Sequence, residues 1–331
     1  MREGGPGRDG GAAGAVSCVA ATMSTGTTPS VVYWARYAGL ANRLRALVGY
    51  KALADLLECP FYLCWENNAH CPAAFEELFV PHGIEVIPRD RIAAHRSAGG
   101  IVGDTSDWFT QIGKQHDFGG TTRDRFLRRS IDNLKSLSLR PELARAVDQF
   151  AGAHQLSDRT GLHIRYTDNV AAHRRWAGKI RGFEHENASR LEGFEAYVSR
   201  EIDASSDVQI FLATDNQGVE RRFRRRFGNH IITYPKTYQG TLSWWIGRFR
   251  SGPAFRTTPM SYAAIEFYLL ARCRKLIGTY FSSFAQLACL IYGAEIYHVA
   301  GIEVRETRTG AKFRYLYENE PAPGASGATG T

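Results

Sequence analysis

The stretch "TGLHIRYTDNV" (160–170) decides how this chain is read. Its first seven residues have the composition of a short, largely buried strand. Alternate residues of a strand point to the same face, so His163 and Arg165 lie together on one side. Asp168 follows just past the end of that strand. A histidine, an arginine and a carboxylate gathered at one strand end either decorate a solvated edge or face a ligand. The surrounding pattern decides between the two.

Downstream, helix and strand patterns alternate. A helix over 191–203 is followed by a strand over 208–214, a helix over 218–228 closed by a glycine, and a strand over 230–234. A helix over 260–273, a strand over 275–280, a helix over 283–293 and a strand over 295–300 complete the series. Five strands with helical crossovers describe a doubly wound parallel sheet. Upstream, "SVVYWARY" (30–37) reads as a strand. The helix after it carries Leu40, Leu44, Leu47, Ala54 and Leu57 at helical spacing and stops at Cys59-Pro60. A strand over 61–65, a helix over 71–79 and a strand over 83–87 follow. Residues 88–120 have weak periodicity and read as irregular, with a short strand near Ile101. Helical patterning returns from Arg123 to Phe150. The expected organisation is a disordered extension over 1–29, one Rossmann-like domain over 30–155, a second over 156–318 and a disordered tail over 319–331.

Two such domains leave a cleft, and parallel sheets bind ligands beyond the carboxyl ends of their strands. Four polar clusters fall at those ends: "YAGLANR" (37–43), "HIRYTD" (163–168), "ATDN" (213–216, with Asp215) and "GTYFSSF" (278–284). In the last, hydroxyls precede an apolar helix, so Ser282 and Ser283 either cap that helix or join its unpaired N–H groups in holding an anion. In the first, Asn42 and Arg43 fall in the first turn of a helix. A cation opposes the helix dipole there, which makes sense if an anion lies between them. Arg165 has the fork geometry to grip a diphosphate. His163 is either a satisfied core histidine or a donor to the same ligand. Asp168 organises its loop or serves as a base. No P-loop is present, and no GxGxxG follows the first strand.

Composition narrows the classes further. The chain has 331 residues, 44% of them hydrophobic, and a formal charge of +8, which favours anionic partners. The arginine-rich "RRFRRRF" (221–227) has Phe223 and Phe227 at helical spacing, so it reads as a solvated helix face and not as a nucleic-acid surface. Six cysteines form no CxxC pair, and Cys59, Cys64 and Cys71 near His70 match no zinc spacing. They read as small buried residues, no metal is expected, and a cytoplasmic protein is. Residues 1–30 lack a continuous apolar core for a signal peptide, and Met23 is an alternative start. No run reaches the roughly 18 apolar residues of a spanning helix.

Taken together, "HIRYTDNV" resembles the H-x-R-R-T-D-K motif of the α1,6-fucosyltransferases and the bacterial nodulation fucosyltransferases. "IFLATDN" and "IGTYFSSFAQLA" resemble their next strand and their third motif, and "GLANRLRAL" resembles the N-terminal glycine–asparagine loop of the wider O-fucosyltransferase superfamily. The order agrees across roughly residues 31–300. The resemblance implies an α/β GT-B fold of two Rossmann-like domains facing a cleft, with the acceptor on the N-terminal side and the donor on the C-terminal side. It implies a GDP-sugar donor, GDP-fucose or a relative, a glycan or glycoconjugate acceptor, inversion at the anomeric carbon and no metal. Arg165 becomes the β-phosphate clamp, His163 lines the donor site, Ser282 and Ser283 hold phosphate, and Glu266 is the candidate carboxylate for guanine. Glu266 is otherwise a partner of Arg272 or Arg274. Two positions depart from the motif: Tyr166 replaces its second arginine and Asn169 its lysine. The position of the family's base holds His173, with Asp168, Glu184 and Glu186 as rivals. Trp176, Trp244 and Trp245 either stack on acceptor sugars or pack in the core. The alternative to catalysis is a nucleotide- or glycan-binding protein on the same fold.

Overall fold

A computed structural model gives the structure of the chain and describes residues 30–105, 112, 122–166, 188–238, 258–280 and 282–307. The N-terminal half runs β1 (Val31–Ala35), α1 (Leu40–Leu56), β2 (Phe61–Trp65), α2 (Phe75–Leu78), β3 (Phe79–Val80), β4 (Glu85–Val86), α3 (Arg91–Ser97), β5 (Ile101–Asp104), α4 (Thr122–Ser136), β6 (Ser138–Leu139) and α5 (Pro141–Ala153). The C-terminal half runs β7 (Thr160–Ile164), α6 (Leu191–Ala204), β8 (Ile210–Thr214), α7 (Gln217–Phe227), β9 (Ile231–Ile232), α8 (Met260–Ala271), β10 (Lys275–Thr279), α9 (Ser283–Tyr292), β11 (Glu295–Ala300) and β12 (Glu303–Glu306).

Each half is built on a parallel sheet. The first has the order β4-β2-β1-β5, and the second β12-β11-β10-β7-β8-β9 with only β12 antiparallel. Strands covered on both faces must be apolar on both. β1 accordingly buries Val31, Val32, Tyr33 and Ala35, and every residue of β7 and of β8 is buried. In the second sheet the chain steps from β7 outward to β8 and β9, then returns to add β10 and β11 on the other side. The switch point lies between β7 and β10, where Gly278 stands opposite His163. A crevice opens beyond the strand ends at such a point, because the flanking crossovers leave on opposite faces.

Helix α1 is buried nearly all round. Its apolar stripe meets the first sheet, and its other face meets α4 and α9. One apolar cluster therefore runs through both halves, from Leu44 and Leu47 of α1 through Phe126 of α4 to Phe267 and Leu270 of α8 and Ala288 of α9. A second cluster covers the opposite face of the C-terminal sheet with Leu162, Ile164, Phe194, Leu212, Phe223 and Val299. The pleat thus sends Leu162 and Ile164 one way and His163 the other.

Several elements differ from the sequence expectation. Residues 91–97 form α3 inside the stretch read as irregular. β3 and β6 pair as a two-residue antiparallel ribbon, too short to leave a periodic signal. β12 is a charged edge strand in which Glu303, Arg305 and Glu306 are exposed, a pattern that blocks further strand addition. The strand near Ile101 is present as β5. In α7, Phe223 and Phe227 are buried as their spacing predicts. Arg222 and Arg226 converge on the buried Glu195 of α6. Cys64 and Cys71 sit in different apolar clusters. Among the described residues no helix is long and apolar enough to cross a membrane.

Candidate functional site

The end of β7 is clamped from both sides. Thr279 of β10 donates its hydroxyl to the His163 carbonyl at 3.1 Å and accepts the Arg165 amide at 3.0 Å. Thr214 of β8 donates to the Ile164 carbonyl at 2.7 Å, and Asp215 accepts the Tyr166 amide at 2.8 Å. Four backbone groups leave the ladder together here, and each finds a side chain from a neighbouring strand. The path of residues 163–166 is fixed by these bonds, and with it the base of the Arg165 side chain.

A cavity of about 250 Å³ opens at this place. Its C-terminal wall includes His163, Arg165, Asp215, Glu266 and Ser283, and its N-terminal wall includes residues 38–42 and His70. Two helix N-termini, those of α1 and α9, meet there from opposite halves. The first-turn N–H groups of a helix have no intrahelical acceptor and carry partial positive charge, so two of them beside an arginine make a strong anion site. Glycine serves the close approach of α9 to the sheet: a Cβ on Gly278 would stand 3.0 Å from Cβ of Ala285.

Arg165, His163, Asp215, Glu266, Ser283 and Asn42 all line this one cavity. His163 is nearly buried and stacks on Phe284, with ring centroids 4.7 Å apart and planes 16° apart. Ser282 is the N-cap of α9, but its side chain makes no capping bond; its hydroxyl lies 3.4 Å from His163 Nδ1. Ser283 is the member of the pair that faces the cavity.

Arg43 corrects the expectation drawn from its position in the helix. Its side chain turns back into the protein and is fully buried. Nε donates to the carbonyls of Tyr37 and Ala38, and the terminal nitrogens donate to the Glu66 carbonyl and to Asn68 Oδ1. The guanidinium holds together two loops of the cavity wall, including Ala38 at a left-handed φ of 63°. It does not line the cavity. Glu266 also has a different partner from those expected: Arg272 pairs with Asp148, and Glu266 pairs with Lys236. Burial pushes the Glu266 carboxyl up to about 7, against the pull of Lys236.

Lys236 falls outside every polar cluster read from the sequence, and Thr279 and Thr214 stand inside theirs without being singled out. The two threonines are the last residues of β10 and β8, and a hydroxyl at a strand end is the signal that points to them; Lys236, four residues past β9, carries no such signal. His70, weighed only as a companion of cysteines, stands on the cavity wall, with its amide 3.1 Å from Asn68 Oδ1. Asp168, His173, Trp176, Glu184, Glu186, Trp244 and Trp245 lie outside the described residues.

No protein-family model matches the chain, and no curated protein matches its sequence. Solved structures do. The fucosyltransferase NodZ from Bradyrhizobium is similar at a TM-score of 0.50 and 18% identity, over 82% of this chain and 96% of that one. A NodZ α1,6-fucosyltransferase crystal soaked with GDP-fucose gives the same score and identity over 82% and 94%. A point mutant of Arabidopsis thaliana FUT1 in complex with GDP is similar at a TM-score of 0.52 and 11% identity, over 83% and 70%. At these identities the likeness establishes the fold: the α/β GT-B architecture of the fucosyltransferases, with its parallel sheets.

Proposed function

We propose that this chain is a glycosyltransferase that moves fucose or a related sugar from a GDP-sugar to a hydroxyl of a glycan or glycoconjugate. The observation that carries this reading is the clamped strand end of β7. It places Arg165 on the cavity wall at the switch point, beside the first turn of α9 and across from the first turn of α1. The fold's likeness to structures solved with GDP and GDP-fucose supports the same donor class.

In this reading the diphosphate lies against Arg165 and the α9 N-terminus, with Ser283 adding a donor. The guanine sits toward Glu266, whose carboxylate accepts the N1–H and N2–H of that base and finds no such pair in adenine. The acceptor hydroxyl attacks the anomeric carbon on the face opposite the leaving group. The bond from that carbon to the β-phosphate oxygen breaks, and the charge that grows on the phosphate is met by donors already in place. The hydroxyl proton passes to a base, for which His173 and Asp168 remain the candidates. Inversion and independence from metal follow from the resemblance to the fucosyltransferases, and turnover in the presence of EDTA tests the latter. The domain roles go with it: acceptor on residues 30–155, donor on 156–318.

The test is calorimetric titration of GDP, ADP and UDP into the wild type and Arg165→Ala. Loss of a charge-assisted contact costs about 1.5–3 kcal/mol, so GDP affinity is expected to fall tenfold or more. Preference for GDP that collapses in the variant supports the donor site. A folded wild type that ignores GDP overturns it. Release of GDP from GDP-fucose on adding acceptor separates the enzyme from a binding protein that keeps the fold with Tyr166 and Asn169 in its altered motif.

A further inference from the structure

Behind the cavity wall lies a charged layer that the donor reading leaves without a role. Lys236 follows β9 in "TYPKTY" (233–238), and its side chain is 0% exposed. Its ammonium donates to the Thr214 carbonyl at 2.8 Å and to Glu266 Oε1, and stands 3.7 Å from Glu220 Oε2. Tyr238 donates its hydroxyl to that same Glu220 oxygen at 2.6 Å. The groups that act on Glu266 are thus Lys236 from the segment after β9, Glu220 from α7 and Asp215 from the end of β8, with Tyr238 behind them. Arg165, His163 and His70 share the cavity in front.

A cation wholly shielded from water and set among Glu266, Glu220 and Asp215 is a costly arrangement. Replacing a buried ion pair by an apolar pair of similar volume is often neutral or stabilising, so burial alone does not account for this one. The ion pair makes sense through what it presents to the cavity. A buried carboxylate left alone takes up a proton. A protonated carboxyl offers one donor and loses acceptor capacity, which is the wrong pattern for a base that offers two N–H groups side by side.

We propose that Lys236 is the positioning residue for base selection: it fixes one oxygen of Glu266 and holds that carboxylate anionic above neutral pH, so that the cavity takes a purine with adjacent ring and exocyclic N–H donors. This rests on the GDP reading of the same cavity. It assigns the selectivity to a residue that does not touch the nucleotide, and it takes Lys236, Glu220 and Tyr238 as one unit behind Glu266. The lysine also spans β8, α7 and α8, so base selection is tied to the packing of three elements.

The experiment is GDP affinity as a function of pH for the wild type, Lys236→Met, Lys236→Arg and the double variant Lys236→Met/Glu266→Gln. The window runs from about pH 7 to about pH 8.5, above the second phosphate ionisation near 6. The wild type is expected to level off toward the top of that window. Lys236→Met is expected to bind GDP about tenfold more weakly at its lower end and to recover as the pH rises, because one pH unit is a factor of ten in the ionised fraction. Lys236→Arg keeps the charge and is expected to restore the wild-type profile. The double variant has no carboxylate to titrate and is expected to bind weakly at every pH. Should the methionine variant fail to fold, Lys236→Gln, which keeps a donor without the charge, is read by the same criterion. A Lys236→Met profile that superimposes on the wild type overturns the role of Lys236 and leaves the GDP site standing. Absence of GDP binding in the wild type overturns both.

Discussion

The backbone N–H of Arg165 ends on the hydroxyl of Thr279, 114 residues away along the chain and 3.0 Å away in space. The same hydroxyl donates to the His163 carbonyl. One threonine thus occupies both orphan groups on either side of Ile164 at the end of β7. Thr279→Val keeps the shape and removes both bonds, leaving a buried N–H and C=O without partners. The expected loss is about 1–3 kcal/mol of stability, read from the urea midpoint, together with weaker GDP binding in the folded variant. Thr279→Ser keeps the hydroxyl and is expected to retain both. A valine variant as stable as the wild type would show that the clamp does not hold the strand end.

Arg43 is predicted to matter for folding more than for binding. Four acceptors from Tyr37, Ala38, Glu66 and Asn68 depend on its guanidinium. Burial lowers the proton affinity of that group, yet no other side chain supplies the same fork of donors. Arg43→Met is expected to cost about 1–3 kcal/mol in urea unfolding, since several partly buried acceptors lose their donor at once. Arg43→Lys is expected to recover only part of this, because an ammonium cannot reach the loop carbonyls and Asn68 in one plane. Full recovery by lysine would mean that charge alone sufficed.

Gly103 marks a close approach of β5 in the first sheet to helix α1. A Cβ there would stand 1.8 Å from the Tyr50 ring, which stacks on Tyr33 at a centroid distance of 5.6 Å. Neither ring can move far, because Tyr33 also donates its hydroxyl to Thr105. Gly103→Ala is therefore expected to lower stability by about 1–3 kcal/mol through overpacking, seen as a lower thermal midpoint. Pairing it with Tyr50→Leu is expected to recover part of the loss.

The parallel α/β architecture was legible because strands buried on both faces read as apolar runs, and the helices between them as periodic stripes. What escaped was short or polar: β3 and β6 at two residues each, β12 as a charged edge, and α3 inside a stretch of Arg, Asp and Ser. The strand-end clusters were legible by order, since polar residues follow each apolar run. Side-chain direction was not. The helical position of Arg43 fixes its Cα beside the cavity, while its long side chain turns away to four acceptors that lie as far as 25 residues along the chain. Lys236 was invisible because a lysine between proline and threonine is ordinarily solvated. Its burial goes with its pairing to Glu266, 30 residues on, a glutamate read from the sequence as the carboxylate for guanine or, failing that, a partner of Arg272 or Arg274.

Glu266 also gives stability a pH dependence with a definite sign. Burial pushes its carboxyl up to about 7 in the folded chain, while an unfolded glutamate sits near 4.3. Between those values the folded state binds the proton and the unfolded state releases it. The contribution of this group is therefore fullest below about pH 4.3 and is lost as the pH rises toward 7. Other groups run the opposite way, among them His298, which burial and the nearby Arg305 hold below its usual range. The wild-type curve alone sums them all. The difference between the wild type and Glu266→Gln isolates the term, because the amide does not titrate. The prediction is that the wild type loses stability relative to Glu266→Gln on going from about pH 5 to about pH 8, and that the difference levels off above that. Urea unfolding at four or five pH values measures it. Parallel curves for the two proteins would mean that Glu266 is ionised throughout the range, with Lys236 offsetting its burial completely.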